Sequence, residues 1–153
     1  MSVDTMARLF ELKNIIGVKD STANLDRVDE QKRIIGNDFI QLSGEDATAL
    51  EFNLRGGNGC ISVTANIAPK LCSEFQEASL AKNNDKLLAR AKEINDQLMP
   101  LHKSLFIESN PSPVKYAANL LKLCSDEVRL PLVRVTSQSK EKIKLAMQQA
   151  NLI

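Results

Sequence analysis

Apolar positions along this chain fall into two regimes. Asp4 to Lys13 carries Met6, Leu9, Phe10 and Leu12 at helical spacing. Ile15 to Lys19 is a short apolar run that reads as a strand buried on both faces, and Asp20-Ser21-Thr22 closes it as a turn. Leu25 to Ile35 sets Leu25, Val28, Ile34 and Ile35 among charges, a helix that Gly36 stops. Phe39 to Leu42 is a second apolar run, closed by Ser43-Gly44. Asp46 to Leu54 predicts a helix, and Arg55-Gly56-Gly57-Asn58-Gly59 breaks it. Cys60 to Val63 is a third strand. Strands alternating with helices predict right-handed βαβ units and a parallel sheet.

Beyond residue 67 the strand pattern stops. Pro69 suits the first turn of a helix running to about Leu80. Asp85 to Leu105 repeats Leu88, Ala91, Ile94, Leu98, Leu101 and Leu105 at spacings of three and four, with Pro100 set to kink it. Val114 to Leu123 and Lys140 to Gln149 are further helices, and Leu130 to Val135 reads as extended. The division is residues 1–67, strand and helix, against residues 68–153, helical apart from the extended stretch Leu130 to Val135. No fixed repeat and no low-complexity linker separates the two.

Composition narrows the functional classes. A chain of 153 residues makes one ordinary domain with a sizeable core. A formal net charge of +1 argues against binding nucleic acid or an anionic membrane through bulk charge. With no Trp and one Tyr, a base-stacking platform has no material. No apolar run reaches membrane-span length, and MSVDTMARLF lacks the regions of a signal peptide. Cys60, Cys72 and Cys124 have no paired spacing and read as reduced thiols of a cytoplasmic protein. A metal site would want more than the single His102, which reads as a packing or solvent-facing residue. Glu45 and Asp46 read as helix-start acids at the positive end of the dipole. Gly56-Gly57-Asn58-Gly59 ends a helix and opens a strand, so it is a turn and not a phosphate cradle.

Lys19 raises the sharpest question. An amine at the end of an apolar strand has a plain explanation: the strand meets water and the stem snorkels out. It also has a chemical one. The C-terminal ends of parallel strands form the catalytic face of α/β folds. An amine kept neutral by apolar neighbours can attack a carbonyl and form a Schiff base. Gly17 lies on the same side by the period of two and would leave room for the lysine stem.

Longer runs decide between these. IIGVKDSTANLDRV, Ile15 to Val28, resembles the Schiff-base lysine strand of dihydrodipicolinate synthases. LSGEDATALEF, Leu42 to Phe52, resembles that family's LSGDDA segment. GGNGCISVTANIAPKL, Gly56 to Leu71, resembles its GGxGxISVTANVAP segment. LMPLHKSLFIESNPSPVKYA, Leu98 to Ala117, resembles LMPLHxxLFxEPNPIPVKWA, and RLPL, Arg129 to Leu132, matches near the end. Glu45 for Asp, Ser109 for Pro and Val133-Arg134 for Thr-Pro are mild departures.

The resemblance implies an α/β fold, part of a (β/α)8 TIM barrel: about three βα units, strands six to eight, followed by the last barrel helix and a C-terminal helical extension. It implies a lyase that condenses pyruvate with L-aspartate 4-semialdehyde on the route to diaminopimelate and lysine, with no cofactor and no metal. Lys19 is then the Schiff-base residue. Gly44, closing strand seven, and Ile61, on strand eight, bring backbone groups to the pyruvate pocket; by spacing alone they are a turn glycine and a core aliphatic. The family is a homo-oligomer, usually a tetramer.

The same resemblance shows what is missing. The family's GTTGE and YNxPxRT segments, its relay threonine and its tyrosines have no counterpart here, and Tyr116 lies in the helical tail. The matching region starts within the helix before strand six, as at an internal point of a longer chain. Three strands cannot close a barrel of eight, so the sheet is left with open edges. Poor solubility, oligomers or dependence on an N-terminal half supplied by another chain are expected. A truncated copy that catalyses nothing, a non-catalytic oligomerisation module, and another Schiff-base aldolase such as N-acetylneuraminate lyase are the competing readings.

Overall fold

A computed structural model describes residues 1–81 and 83–153. Helix α1, Val3–Phe10, starts at Ser2, whose side chain accepts from the Thr5 N–H. Strand β1, Gly17–Asp20, leads to α2, Asp26–Ile35; β2, Ile40–Ser43, leads through a short 3-10 turn, Asp46–Thr48, to α3, Ala49–Leu54. Helices α4, Pro69–Leu80, α5, Asp85–Ser104, α6, Ser112–Leu120, and α7, Ser137–Gln149, follow.

The strands pair in parallel, Gly17 with Ile40 and Lys19 with Leu42, as the alternation predicts. The third strand is shorter than expected. Only Cys60 bridges to Ser43, flanked by bonds from Asn58 N–H to Gln41 O and Ile61 N–H to Ser43 O, both 2.8 Å. Val63 and Thr64 turn away into a second 3-10 turn, Thr64–Asn66, because their N–H groups point at Asp46 and not at a ladder. Leu130 to Val135 joins no sheet: Pro131 has no donor to give, and Leu130 and Val133 lie exposed.

One face of the small sheet is covered and the other is not. Asp20, Gln41 and Ser43 are buried beneath α2 and its neighbours; Gln31 of α2 donates to Asp20, and Gln41 donates to the Val28 carbonyl. Lys19, Ile40 and Ile61 lie exposed on the opposite side, and Ile16 is 63% exposed. The expectation of a strand buried on both faces is therefore corrected: these residues supply a cover for one face only.

The main core is helical. Ile94, Leu98 and Leu101 of α5, with Leu105 just past its end, meet Ile143 and Met147 of α7, with Phe75 of α4 and Ala117 of α6 alongside. α5 starts at Asn84, whose side chain caps Leu87 N–H, and Pro100 does not divide it. Pro100 is exposed, so the carbonyl its ring leaves unpaired can be hydrated. α7 begins three residues before the expected Lys140 because Thr136 caps Ser139 N–H. A smaller cluster of Val3, Met6 and Phe39 seats α1, with Phe10 edge-on to Phe39 at 5.3 Å between centroids.

Candidate functional site

The site is assembled where β1 and β2 end. Asp20, the residue after Lys19, organises the exit of β1. Its Oδ1 accepts from Thr22 N–H at 2.9 Å and Thr22 hydroxyl at 2.6 Å, and its Oδ2 accepts from Arg27 Nε at 2.8 Å. Thr22 Oγ1 then accepts from Asn24 N–H, and Asn24 Oδ1 from Asp26 N–H, so stepwise side-chain turns carry the chain into α2. Burial pushes the Asp20 carboxyl up, but the Arg27 guanidinium and Thr22 outweigh it and hold it below its ordinary value. The partner of Arg27 is thus Asp20, while the adjacent Lys19 forms no ion pair among the described residues.

Lys19 and Gly44 come together. Gly44 N–H donates to Asp20 O at 2.8 Å, which sets the end of β2 beside the end of β1. A Cβ at Gly44 would stand 2.7 Å from Lys19 Cε and would also meet the Ser21 hydroxyl. Gly44 is therefore the residue whose missing side chain admits the lysine stem. Gly17, expected to do so, does something else: a Cβ there would run into Ile40 on the neighbouring strand, 2.7 Å from its Cβ.

Ile61 sits at the end of the third segment with its N–H bonded to Ser43 O, and its side chain is 48% exposed. Lys19, Gly44 and Ile61 share the uncovered face and the C-terminal edge of the sheet. The apolar enclosure expected around the Lys19 amine is not built by these residues, because the side chain is exposed.

Behind the sheet lies a polar cluster whose hydrogen bonds periodicity does not reveal. Asp46, 5% exposed, is not a plain helix-start acid: its Oδ2 accepts from Val63 N–H at 2.9 Å and Thr64 N–H at 3.3 Å. Glu45 keeps the expected role and accepts from Ala47 N–H. Thr64 Oγ1 shares a 2.7 Å hydrogen bond with His102 Nδ1, and His102 is 6% exposed. Burial lowers the His102 pKa, although Asp46 and Glu45 pull the other way. A half-open cavity of about 340 Å³ adjoins this cluster, lined in part by Cys60, Cys72 and Phe75. Burial and the Asp46 charge push the Cys60 thiol up to about 12, and burial takes Cys72 to about 11, so neither is a ready nucleophile. Among the described residues no three His, Cys, Asp or Glu side chains converge on a metal position, and no helix is long and apolar enough to cross a membrane. One signal for His102 was available: it follows Leu98 by four and so falls on the buried stripe of α5.

Comparison with known proteins places these observations. The model of the dihydrodipicolinate synthetase family matches residues 1–150. A 4-hydroxy-tetrahydrodipicolinate synthase from Pelagibacter ubique is 65% identical over the whole chain, which covers 52% of that protein. Another from Parvibaculum lavamentivorans is 59% identical, with 51% of it covered. The chloride-inhibited dihydrodipicolinate synthase from Acinetobacter baumannii, complexed with pyruvate, superposes with a TM-score of 0.92 and 40% identity over 99% of this chain and 51% of that one. The chain spans about half the length of the curated relatives it matches.

Proposed function

Because the chain belongs to the dihydrodipicolinate synthetase family, we propose that it carries the lysine-bearing portion of a Schiff-base lyase, strands six to eight of a TIM barrel with its helical extension. In this reading residues 1–67 belong to the barrel and residues 68–153 hold the last barrel helix and the extension. Lys19 Nζ attacks the keto carbon of pyruvate, and loss of water leaves an imine. The imine withdraws electrons, so a methyl proton departs and the enamine carbon attacks the aldehyde of L-aspartate 4-semialdehyde. The backbone groups of Gly44 and Ile61 frame the pyruvate. The Schiff-base route runs on the side chain itself and calls for no metal or nucleotide. The reading extends to lysine and diaminopimelate biosynthesis in the cytoplasm and to a homo-oligomer.

The observation that carries it is the lysine stem lying against Gly44 at the ends of two parallel strands. The groups that would bind the substrate carboxylates and relay protons have no counterpart among these residues, so turnover depends on their being supplied from elsewhere; positioning and acid/base groups are each worth orders of magnitude. Exposure of the Lys19 side chain favours the competing reading, a copy without catalysis. Pyruvate and borohydride added to the purified chain, followed by intact mass and peptide mapping, separate the two. The expected result is one reduced pyruvate adduct on Lys19, lost in Lys19→Arg. A folded sample with no adduct overturns the Schiff-base assignment.

A further inference from the structure

We propose that Asp46 is a positioning residue of the candidate site, holding the backbone that follows Ile61 so that Ile61 stays in register with Gly44. This rests on the pyruvate-binding reading above. Asp46 stands two residues after Gly44, in the turn that ends β2. Its Oδ2 reaches across to Val63 and Thr64, two and three residues after Ile61. Ile61 is thus held twice: its own N–H is bonded to Ser43 O, and the following turn is clamped by a buried carboxylate. Thr64, wholly buried, is fixed from the far side by His102 of α5.

The energetics favour a device over an accident. A buried carboxylate is costly unless hydrogen-bonded. Here its Oδ2 meets two backbone N–H groups that, in a continuing strand, would have sought a ladder partner, and its Oδ1 accepts a long contact of 4.0 Å from the Cys60 thiol. The clamp ends the third strand after Ile61 and turns the chain toward α4. Without it, Val63 and Thr64 would be free to extend the strand, and Ile61 would lose its setting against Gly44. Small displacements of positioned groups can cost about a hundredfold in the reaction they serve.

Asp46→Ala and Asp46→Asn in the full chain test this, by two readouts at matched folding. The first is the pyruvate concentration that gives half-maximal borohydride trapping on Lys19. The second is amide exchange at Ile61, Val63 and Thr64. The alanine variant is expected to need about tenfold more pyruvate and to lose protection at Val63 and Thr64. The asparagine variant keeps an acceptor but loses the charge, so it falls between alanine and wild type in both. Should alanine fail to fold, the asparagine variant decides alone. Wild-type trapping by a folded variant overturns the role of Asp46, as does wild-type exchange at Val63 and Thr64. Failure of the wild-type chain itself to trap pyruvate is a different result and overturns the functional reading on which the role rests.

Discussion

Gly44 shows how a single missing side chain can shape a site. Its Cβ position is already claimed by the Lys19 stem and the Ser21 hydroxyl. Gly44→Ala therefore displaces the amine rather than the strand, because the first atoms to yield belong to flexible side chains. Pyruvate trapping on Lys19 should fall about tenfold or more while the melting temperature changes little. Unchanged trapping in a folded Gly44→Ala variant would sink the assignment of that space to the lysine. The expectation that Gly17 makes room for the lysine stem fails. Gly17 has the correct parity on the strand, but parity speaks to one strand only, and the space around Lys19 is set by its neighbour.

Between elements, the hydrogen bond from the second 3-10 turn to α5 runs through His102. Burial holds the imidazole below its ordinary value of 6.5, against the pull of Asp46 and Glu45. The unfolded chain thus takes up the proton first as pH falls. His102 contributes stability above about 6.5, and this is lost as pH drops through the interval down to the lowered folded pKa. Thermal midpoints should fall between pH 7.5 and pH 5, and fall less in His102→Gln. Equal pH dependence in wild type and variant would show that His102 titrates as it does in the open chain. Asp46 belongs to this scale as well. Its place after Ser43-Gly44 signals a helix start, and Glu45 fulfils that role, whereas the direction of the Asp46 side chain depends on a turn 17 residues later.

Across the whole molecule the two regimes of the sequence become regions of unequal packing. The helices α4 to α7 share one apolar core. The strands have cover on one face and exposed isoleucines on the other. Stability should be distributed accordingly, since local opening follows the density of buried apolar contacts. Native-state hydrogen exchange is expected to be slowest in α5 and α7, around Ile94, Leu98 and Ile143, and markedly faster in β1. Amides of Val18 and Lys19 exchanging as slowly as those of Ile94 would contradict this picture. The open face also accords with a chain spanning about half of its relatives' length.

Local pattern determined the order of helices and strands, the parallel pairing, the helix stop at Gly36, and the placing of Lys19 at a strand end. These depend on periodicities and side-chain chemistry within a few residues, which a sequence displays directly. The motif runs from Ile15 to Ala117 carried the family in the same way. Tertiary structure decided the rest: that Gly44 and not Gly17 admits the lysine, that Asp46 ends the third strand, that His102 is a buried partner of Thr64, and that one sheet face lies bare. Each of these is settled by contacts between residues far apart in the chain, 18 positions for Asp46 to Thr64 and 38 for Thr64 to His102. No period of two or 3.6 encodes a contact of that range, because it exists only once the elements have packed.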